Sequence, residues 1–533
     1  FQAEDGIRDL VRSRGLGDVY KRQFLVSILP YPLQLGFEKA VISVQPVHHS
    51  FVMKTKSIAL LTAFGLLLAA SSVSASPRVW KDASSGRTLT GEFVELTKDA
   101  VKVRRANGDV ISLPLSRLTK EDITFAEGAA EKGGALANDW PSWRGTARDG
   151  HSPDTGSLAK WPAAGPELVW AFEDCGKGYS CPAVVGNRLY FTGSRKGKAE
   201  IICIDAGSGE EVWSSTIGTD PEEGYNTRWG AGTRGAATVD DGLVYAMNAN
   251  GDVSCMTADK GEKKWSVSLV EDFGGKIPGW GYSESPLVDG NRLIVTPGGT
   301  KGAIVALDKK TGKTIWQSTD LTDGAQYSSA IVAEVNGKKQ YIQLFMKKLA
   351  GVSADTGKLL WSTKWPGRTA VIPTPIYSEG HVYISSGYGV GCKLVDISDG
   401  EAKDVWSNKV MKNHHGGVIK VGEHVYGFSD GPGLVCQNFK TGEQVWSERG
   451  EGKSKGAVHY VDGMLVCLDE SEGSCFLAKA SPDGFEELGR FPMPRKTKLR
   501  QGTSGKVWTH PVVVNGKLYL RDQDLVFCFD VKG

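Results

Sequence analysis

The sequence predicts an all-β protein: an eight-bladed β-propeller closed by an N-terminal strand and preceded by a small β-barrel. Three observations predict the propeller. One eleven-residue phrase recurs, most fully from Ala306 to Trp316, and its closing tryptophans stand about 40 to 52 residues apart, a spacing typical of propeller blades. Each interval reads as four short strands separated by turn residues. After Trp140, eight first strands can be counted, and the last blade lacks one strand.

Two positions of the recurring phrase have a physical reason. The tryptophans that close it are Trp213, Trp265, Trp316, Trp361 and Trp446, with a looser copy at Trp406. The glycines four residues before the first five are Gly209, Gly261, Gly312, Gly357 and Gly442. Each glycine predicts a hairpin turn with a left-handed backbone. Each tryptophan predicts a flat side chain that covers the neighbouring sheet.

The predicted blades begin with eight first strands. These are Pro182–Val185, Ala236–Val239, Ser285–Val288, Ala330–Ala333, Thr374–Tyr377, Gly417–Lys420, Ala457–Tyr460 and Pro511–Val514. The last blade ends one strand and one tryptophan short, while an unpaired segment, Pro166–Phe172, stands before the first blade. We expect that segment to complete the last blade, because closure of the ring removes exposed sheet edges. The propeller therefore extends over residues 140–533.

The phrase Ala-x-Asp-x-x-Thr-Gly-x-x-x-Trp resembles the repeat of the pyrroloquinoline-quinone (PQQ) propeller superfamily. That superfamily contains quinoprotein alcohol dehydrogenases and the outer-membrane assembly factor BamB. The resemblance covers roughly 390 residues by repeat counting. It implies the fold and leaves the activity open, because enzymes and non-enzymes share this packing motif.

The N-terminal part indicates export. Residues 1–52 resemble translated sequencing-adapter sequence and are interpreted as a non-native extension. Residues 53–75 combine a charged start, an apolar run from Ile58 to Ala70 and small residues before Ser76, which is the pattern of a signal peptide. The apolar run is short for a membrane span. We therefore expect a periplasmic or secreted protein with no membrane span after cleavage.

Residues 77–128 predict a small β-barrel, followed by a linker over residues 129–139. Its predicted strands are Arg78–Asp82, Gly91–Leu96, Ala100–Val103, Val110–Leu115 and Leu118–Asp122. The unit is similar to the Sla-one homology domain, an SH3-like barrel, in its Arg-x-Trp-x-Asp opening and Leu-x-x-Glu-Asp close. The resemblance implies protein contacts, so other envelope proteins are the expected partners of this unit or of the blade tops. A structural cap on the propeller is the alternative interpretation.

Charge and cysteine content exclude some functions. With 63 basic and 61 acidic residues, the chain has no nucleic-acid footprint. Four of its nine cysteines, Cys203, Cys255, Cys436 and Cys528, occupy the same position of the phrase and are predicted to be small core residues. The pairs Cys175 with Cys181 and Cys467 with Cys475 are candidate disulfides, and the sequence leaves both open.

A ligand site is predicted at the axial mouth, where residues just before each innermost strand converge. The candidate cofactor-binding or ligand-binding residues are Trp229, Arg234, Tyr282, Glu284, Tyr327, Arg368, His414, Lys455, Trp508 and His510, accompanied at the mouth by Tyr179, Arg228, Trp280 and His415. This set suits a small anionic or sugar-like ligand. The alternative is that the same residues plug the channel and satisfy one another.

Two function classes remain. The first is a secreted or periplasmic binding or scaffold protein. The second is a divergent PQQ-dependent dehydrogenase, with PQQ and calcium as cofactors. The family's dehydrogenases have two adjacent cysteines beside the quinone, and this chain has none adjacent. Adjacent His414 and His415 could ligate a metal with His510 or Glu284, but neighbours on an extended segment point apart, so no metal site and no catalytic residue is assigned.

Overall fold

The computed structural model describes residues 78–96, 99–105, 110–131, 138–449, 455–500 and 506–533. The predicted extension and the predicted signal peptide lie outside the described residues. The chain divides into two compact units, Phe1–Leu68 and Ala69–Gly533, and the structure described below belongs to the second. Within the described ranges, no helix has the length and apolar character that a membrane span requires.

A small β region comes first. Its strands are β1 (Arg78–Lys81), β2 (Thr88–Leu96), β3 (Ala100–Arg104) and β4 (Val110–Pro114), followed by a 3₁₀ turn (Leu115–Arg117) and helix α1 (Lys120–Glu131). The strands form an antiparallel meander in chain order. Trp80 packs in its core with Val101 and Val103, and the Trp80 indole donates to the Gly91 carbonyl at 2.9 Å.

The predicted strand Leu118–Asp122 was wrong, because α1 begins within it. The Asp122 amide donates to Thr119 Oγ1 at 3.2 Å, and that hydroxyl donates to the Asp122 carboxylate at 3.0 Å. Such reciprocal bonds between a residue and its third successor cap a helix start. Asp122 is also buried against Arg78. The helix continues to Glu131, so the predicted linker from Ala129 starts on helical residues.

Eight four-stranded antiparallel sheets follow, as predicted. Blade 8 takes its outer strand from β5 (Glu167–Phe172), the first strand after the small region. Blade 1 is β6 (Ala183–Val185), β7 (Arg188–Arg195), β8 (Lys198–Asp205) and β9 (Glu211–Thr219); blade 2 is β10 (Thr238–Asp240), β11 (Leu243–Met247), β12 (Asp252–Thr257) and β13 (Lys263–Ser268). Blade 3 is β14 (Leu287–Asp289), β15 (Arg292–Val295), β16 (Val305–Asp308) and β17 (Thr314–Gln317); blade 4 is β18 (Ile331–Val335), β19 (Lys338–Leu344), β20 (Lys348–Ser353) and β21 (Leu359–Lys364).

The second half of the ring repeats the pattern. Blade 5 is β22 (Ile376–Ser378), β23 (His381–Ser386), β24 (Gly391–Asp396) and β25 (Lys403–Asn408); blade 6 is β26 (Val418–Val421), β27 (His424–Ser429), β28 (Gly433–Asn438) and β29 (Gln444–Glu448). Blade 7 is β30 (Gly456–Val461), β31 (Met464–Asp469), β32 (Ser474–Lys479) and β33 (Glu487–Pro492); blade 8 is β34 (Val512–Val514), β35 (Lys517–Asp522), β36 (Leu525–Asp530) and β5.

The predicted closure of the ring is confirmed. Strand β5 pairs antiparallel with β36, and Trp170 stands opposite Cys528. This is the register in which Trp213 opposes Cys203 in blade 1. The N-terminal strand therefore supplies both the missing strand and the missing tryptophan of the last blade.

The tryptophan of each outer strand joins its blade to the next one. Trp316 of blade 3 donates its indole N–H to the Ala354 carbonyl of blade 4 at 3.0 Å. A β-carbon added to Gly357 of that turn would lie 2.4 Å from the Trp316 ring, and Gly357 has a φ of +72°. The same contact joins Trp170 to Gly209, Trp213 to Gly261, Trp265 to Gly312 and Trp406 to Gly442. Glycine is thus required both for the turn and for the close approach of the ring.

Trp361 is an exception. Its indole donates to Gln340 of its own blade at 2.6 Å. The next blade carries the looser copy of the phrase, in which no Thr-Gly turn is available to receive it.

The cysteines are core residues. Cys203, Cys255, Cys436 and Cys528 are fully buried opposite the blade tryptophans. All nine are free, so neither candidate pair forms a disulfide in this structure.

Residues 140–154, here called the channel segment, fill the centre of the ring. They hydrogen-bond to residues in or beside the first strands of seven blades, namely Val184, Val239, Ser285, Thr374, Val418, Tyr460 and Asn515. Because first strands line the axis of a propeller, the segment occupies the axial channel. The channel is therefore plugged chiefly by this segment, a role that the sequence analysis did not predict.

The contact of tryptophan with the next blade's glycine predicts a difference between two alanine substitutions in blade 4. Gly357→Ala places a β-carbon against Trp316, whereas Gly337→Ala, at a φ of +70°, meets nothing within 4 Å. We expect Gly337→Ala to lower the free energy of unfolding by about 1 kcal/mol through backbone strain alone. Gly357→Ala should cost a further 1–3 kcal/mol or so, because the indole must move.

Urea unfolding of both variants measures the difference. Equal losses of stability would contradict the importance of the indole contact.

Candidate functional site

One end of the propeller gathers the loops that precede the first strands. In each blade the first strand runs away from this end, so the turns between second and third strands return to it. Side chains from both kinds of loop meet around the axis. We call this end the mouth.

A ring of eight side chains, here called the mouth belt, surrounds the axis at this end. Its members are Tyr179, Arg234, Trp280, Tyr327, Tyr388, His414, His415 and Trp508. They come from loops preceding blades 1, 2, 3, 4, 6 and 8 and from the β23–β24 turn of blade 5. Most are partly exposed, so their rings form a surface that a ligand can contact.

The contacts run continuously around one half of the belt. The Tyr179 and Trp508 ring centroids are 5.3 Å apart, and those of Trp508 and His415 are 5.8 Å apart. His414 follows His415 at 5.7 Å and approaches the Tyr388 ring at 4.4 Å. These spacings are within the range of interacting aromatic pairs.

Arg234 links the other half. Its guanidinium lies 5.0 Å from the Tyr179 ring centroid, and its Nε donates to the Trp280 carbonyl at 2.9 Å. The Trp280 and Tyr327 rings are 5.9 Å apart. Burial lowers the pKa of Arg234, while the nearby rings and carbonyls face its charge.

His415, Glu470 and Trp508 form a hydrogen-bonded group. His415 Nε2 lies 2.6 Å from the Glu470 carboxylate, and the Trp508 indole donates to the same oxygen at 2.8 Å. Burial lowers the pKa of His415. Burial alone would raise the pKa of Glu470, but His415, Trp508 and Lys455 together hold it at about 2. This carboxylate is therefore ionised, and one of its two oxygens accepts both hydrogen bonds.

His414, Lys455 and Asp430 form a second group beside the first. Lys455 Nζ lies 2.9 Å from His414 Nδ1 and 3.4 Å from the Asp430 carboxylate. Burial tends to raise the pKa of Asp430, but His414 and Lys455 hold it at about 2. The lysine and the aspartate thus compensate each other's charge.

The other candidate residues lie around or beneath the belt. Trp229 is 39% exposed, and its carbonyl accepts from the Tyr179 hydroxyl at 2.9 Å. Arg368 is exposed on the loop before blade 5. His510 is buried under the belt, where its Nε2 donates to the His415 carbonyl at 3.0 Å.

Tyr282 and Glu284 are enclosed between blades. Tyr282 is 1% exposed and donates to the Pro297 carbonyl at 2.8 Å. Glu284 accepts from the Thr296 amide at 2.7 Å and the Thr296 hydroxyl at 3.0 Å, and from Gln343 at 3.2 Å. Burial raises its pKa to about 7. Both side chains stabilise the walls beneath the belt rather than its surface.

Three residues of the mouth were missed from the sequence. Tyr388, Asp430 and Glu470 all lie in turns between second and third strands. The blade topology places these turns at the mouth as well, so the predicted strand pattern could have identified the three residues.

The adjacent histidines point to different partners, as expected for an extended segment. In the described part of the chain, no three His, Cys, Asp or Glu side chains are grouped in a way that could hold a metal ion.

Calcium beside PQQ, which the family resemblance implies, needs carboxylate oxygens free to ligate it. Glu284 is surrounded by N–H and O–H donors, so it does not fit that ion. One oxygen of Glu470 is used by His415 and Trp508.

Comparison with known families gives two matches. A family model described as outer membrane protein assembly factor BamB matches residues 197–448 and 403–482. A second, SLA1 homology domain 1, matches residues 71–133. The two matches coincide with the propeller and with the small β region.

Two curated relatives illustrate the similarity. BamB of Burkholderia pseudomallei is 24% identical over 365 residues, covering 60% of this chain and 83% of that protein. A quinohemoprotein alcohol dehydrogenase of Pseudomonas putida is 27% identical over 156 residues, covering 28% of this chain and 21% of the enzyme.

Solved structures share the fold. BamB from Moraxella catarrhalis superposes with a TM-score of 0.51 at 16% identity, covering 68% of this chain and 97% of that one. Quinohemoprotein alcohol dehydrogenase from Comamonas testosteroni gives 0.56 at 15% identity, covering 77% and 82%. The fold is therefore common to an assembly factor and an alcohol dehydrogenase, and it does not by itself assign a role.

Glu284 predicts a pH dependence of stability. Its pKa is about 7 in the folded protein against an ordinary value of 4.5, so the folded state binds this proton more tightly than the unfolded chain does. Stability should therefore fall as pH rises from about 4.5 to about 7, by roughly 2–3 kcal/mol. Glu284→Gln should flatten that part of the profile, as measured by urea unfolding.

Glu470→Gln is the control variant, because the pH dependence of stability expected from Glu470 has the opposite sign. The pKa of Glu470 is lowered to about 2, so its contribution is present above pH 4.5 and is lost as pH falls towards 2. That variant should keep the decline between pH 4.5 and 7. A decline that survives Glu284→Gln would assign the effect to another group.

Proposed function

We propose that this chain, which belongs to the family of the outer membrane protein assembly factor BamB, is a secreted or periplasmic binding protein. In this proposal the mouth belt holds a flat, sugar-like or anionic ligand. The small β region is a second contact module for proteins of the cell envelope. The signal-peptide pattern of residues 53–75 and the names of the relatives support the compartment and the class of partner.

The observation that carries the proposal is the state of the ionisable groups at the belt. His415 is held by Glu470, and Lys455 lies between His414 and Asp430. Arg234 donates hydrogen bonds to the carbonyls of Trp280 and Gly230. His415 Nε2, Lys455 and Arg234 have polar partners, His415 Nδ1 has none, and the aromatic faces remain partly exposed.

Such a surface favours binding over chemistry. A general base or nucleophile needs a lone pair that can reach the substrate, and here the Glu470 and Asp430 carboxylates pair with basic neighbours while His415 Nδ1 is buried. Ring faces bind flat ligands without any change of protonation. Lysines and arginines near the mouth, such as Lys455 and Arg368, add attraction for a carboxylate.

A divergent PQQ-dependent dehydrogenase is the second candidate. The rings and cations of the belt favour it, because PQQ is a flat tricarboxylate. The donors that surround Glu284 oppose the calcium ion that such an enzyme would need.

Calorimetric titration tests the proposal. The purified protein is titrated with a neutral oligosaccharide, a uronic-acid oligosaccharide, and PQQ with and without calcium. We expect at least one of these ligands to bind with a dissociation constant in the micromolar to millimolar range. Trp508→Ala should weaken that binding at least tenfold or so, because it removes a stacking face.

Lys455→Ala and Lys440→Ala form a matched pair of variants. Lys440 is 60% exposed and forms an ion pair with Glu423 on a turn at the opposite end of the propeller. Only the first variant should weaken binding of an anionic ligand. No heat from any ligand, or equal effects of the two lysine variants, would contradict a ligand site at the belt. Tight binding of PQQ that requires calcium would replace the first candidate by the second.

A further inference from the structure

The channel segment carries a buried arginine with no carboxylate in direct contact, and Asp149 acts on its charge only through space. Arg144 is 4% exposed. Its Nη2 donates to the Asp149 and Val418 carbonyls, each at 2.7 Å, and its Nε donates to the Arg148 carbonyl at 3.3 Å. Within the described ranges, Arg144 forms no ion pair with an acidic side chain. Burial lowers the pKa of Arg144 to about 10, which leaves it charged at neutral pH.

One nitrogen of Arg144 has no partner. Nη1 is buried and makes no hydrogen bond, and the same is true of Trp140 Nε1. Trp140 is 2% exposed. A buried N–H group without an acceptor costs about 1–3 kcal/mol, so two of them close together indicate an acceptor that is part of the folded protein.

Trp140 and Arg144, the two residues with unpaired donors, line one small cavity. The cavity has a volume of about 10 Å³ and is lined by Trp140, Arg144, His459 and His510 among others. This volume holds about one particle of the size of a water molecule. The cavity lies beneath the mouth belt, because His510 also donates to the His415 carbonyl at 3.0 Å.

The remaining polar residues of the lining bring no negative charge. Burial lowers the pKa of His459 and of His510 to about 3, so both rings are neutral. Burial raises the pKa of Cys181, so this thiol is protonated. His459 Nε2 accepts from the Val513 amide at 3.2 Å, which places the proton of the neutral ring on Nδ1.

We propose that this cavity binds a single small monovalent anion of the size of a halide, held by Arg144 Nη1 and Trp140 Nε1. The anion accepts both unpaired N–H groups and compensates the guanidinium charge. A buried charge is stabilised most by an opposite charge in direct contact, so the anion, in addition to the more distant Asp149, stabilises the channel segment inside the ring.

A water molecule is the competing occupant. It would accept from one or both donors and could donate to a histidine nitrogen, but it would place no negative charge in contact with Arg144. The two occupants differ in their response to halide concentration, because only the anion is exchanged with the solution by mass action.

The test combines solution and crystal measurements on the full chain. Thermal unfolding is followed in sodium chloride and in sodium gluconate at equal ionic strength. We expect Tm to be higher in chloride by about 2 °C, rising with the logarithm of its concentration. A crystal soaked in sodium bromide should show an anomalous peak in this cavity.

Two variants keep the test decisive if one fails to fold. Arg144→Met removes the charge, and Trp140→Phe removes only an N–H donor from a ring of similar size. Trp161→Phe is the matched control, because Trp161 is equally buried and packs in a different cluster against Phe491. The halide dependence of Tm should be lost in Arg144→Met, reduced in Trp140→Phe and unchanged in Trp161→Phe.

The proposal requires both results. Equal Tm values in chloride and gluconate would overturn it in favour of water. A bromide peak without any halide dependence of Tm would also overturn it, since binding would then occur at crystal concentration only.

Discussion

The contact between the outer-strand indoles and the turns of the next blades, with Trp361 as the exception, sets the rest of the structure. The sheet hydrogen bonds of a blade lie within that blade, so side chains and loops must position its neighbours. The indole does this twice, by packing against the glycine and by donating to a carbonyl of the same turn, as Trp316 does with Gly357 and Ala354. Repetition of this contact fixes the angle between blades, and that angle fixes where the loops of the mouth converge.

The mouth belt is a consequence of this geometry. Its residues are far apart in the sequence and come together only because the blades are evenly placed. The pairing of charged groups within the belt then determines which of its side chains are ionised. Glu470 and Asp430 remain ionised at low pH because each has a basic partner, whereas Glu284, enclosed between blades among hydrogen-bond donors, is partly protonated near neutral pH. Similar side chains thus differ in protonation between the belt and the layer below it.

Much of the fold could be predicted because its determinants are local. The Thr-Gly turn, the tryptophan and the alternating strands lie within single repeats, and the unpaired Pro166–Phe172 segment indicated the closure. The start of α1 was missed because five residues from Leu118 to Asp122 fit a strand as well as a capped helix. The channel segment was missed for another reason. Its arginines bind backbone carbonyls, such as that of Val418, and every residue type provides a carbonyl.

The channel segment has a consequence for how this protein can evolve. Propellers readily gain or lose blades when repeats are duplicated or deleted, since each blade contacts only its neighbours. Here the channel segment of about fifteen residues hydrogen-bonds to seven blades at once, so it fits an axial channel of one particular width. A ring of seven or nine blades would have an axial channel of a different width, which the channel segment could not fit. The number of repeats is therefore under selection from a segment that lies outside the repeats.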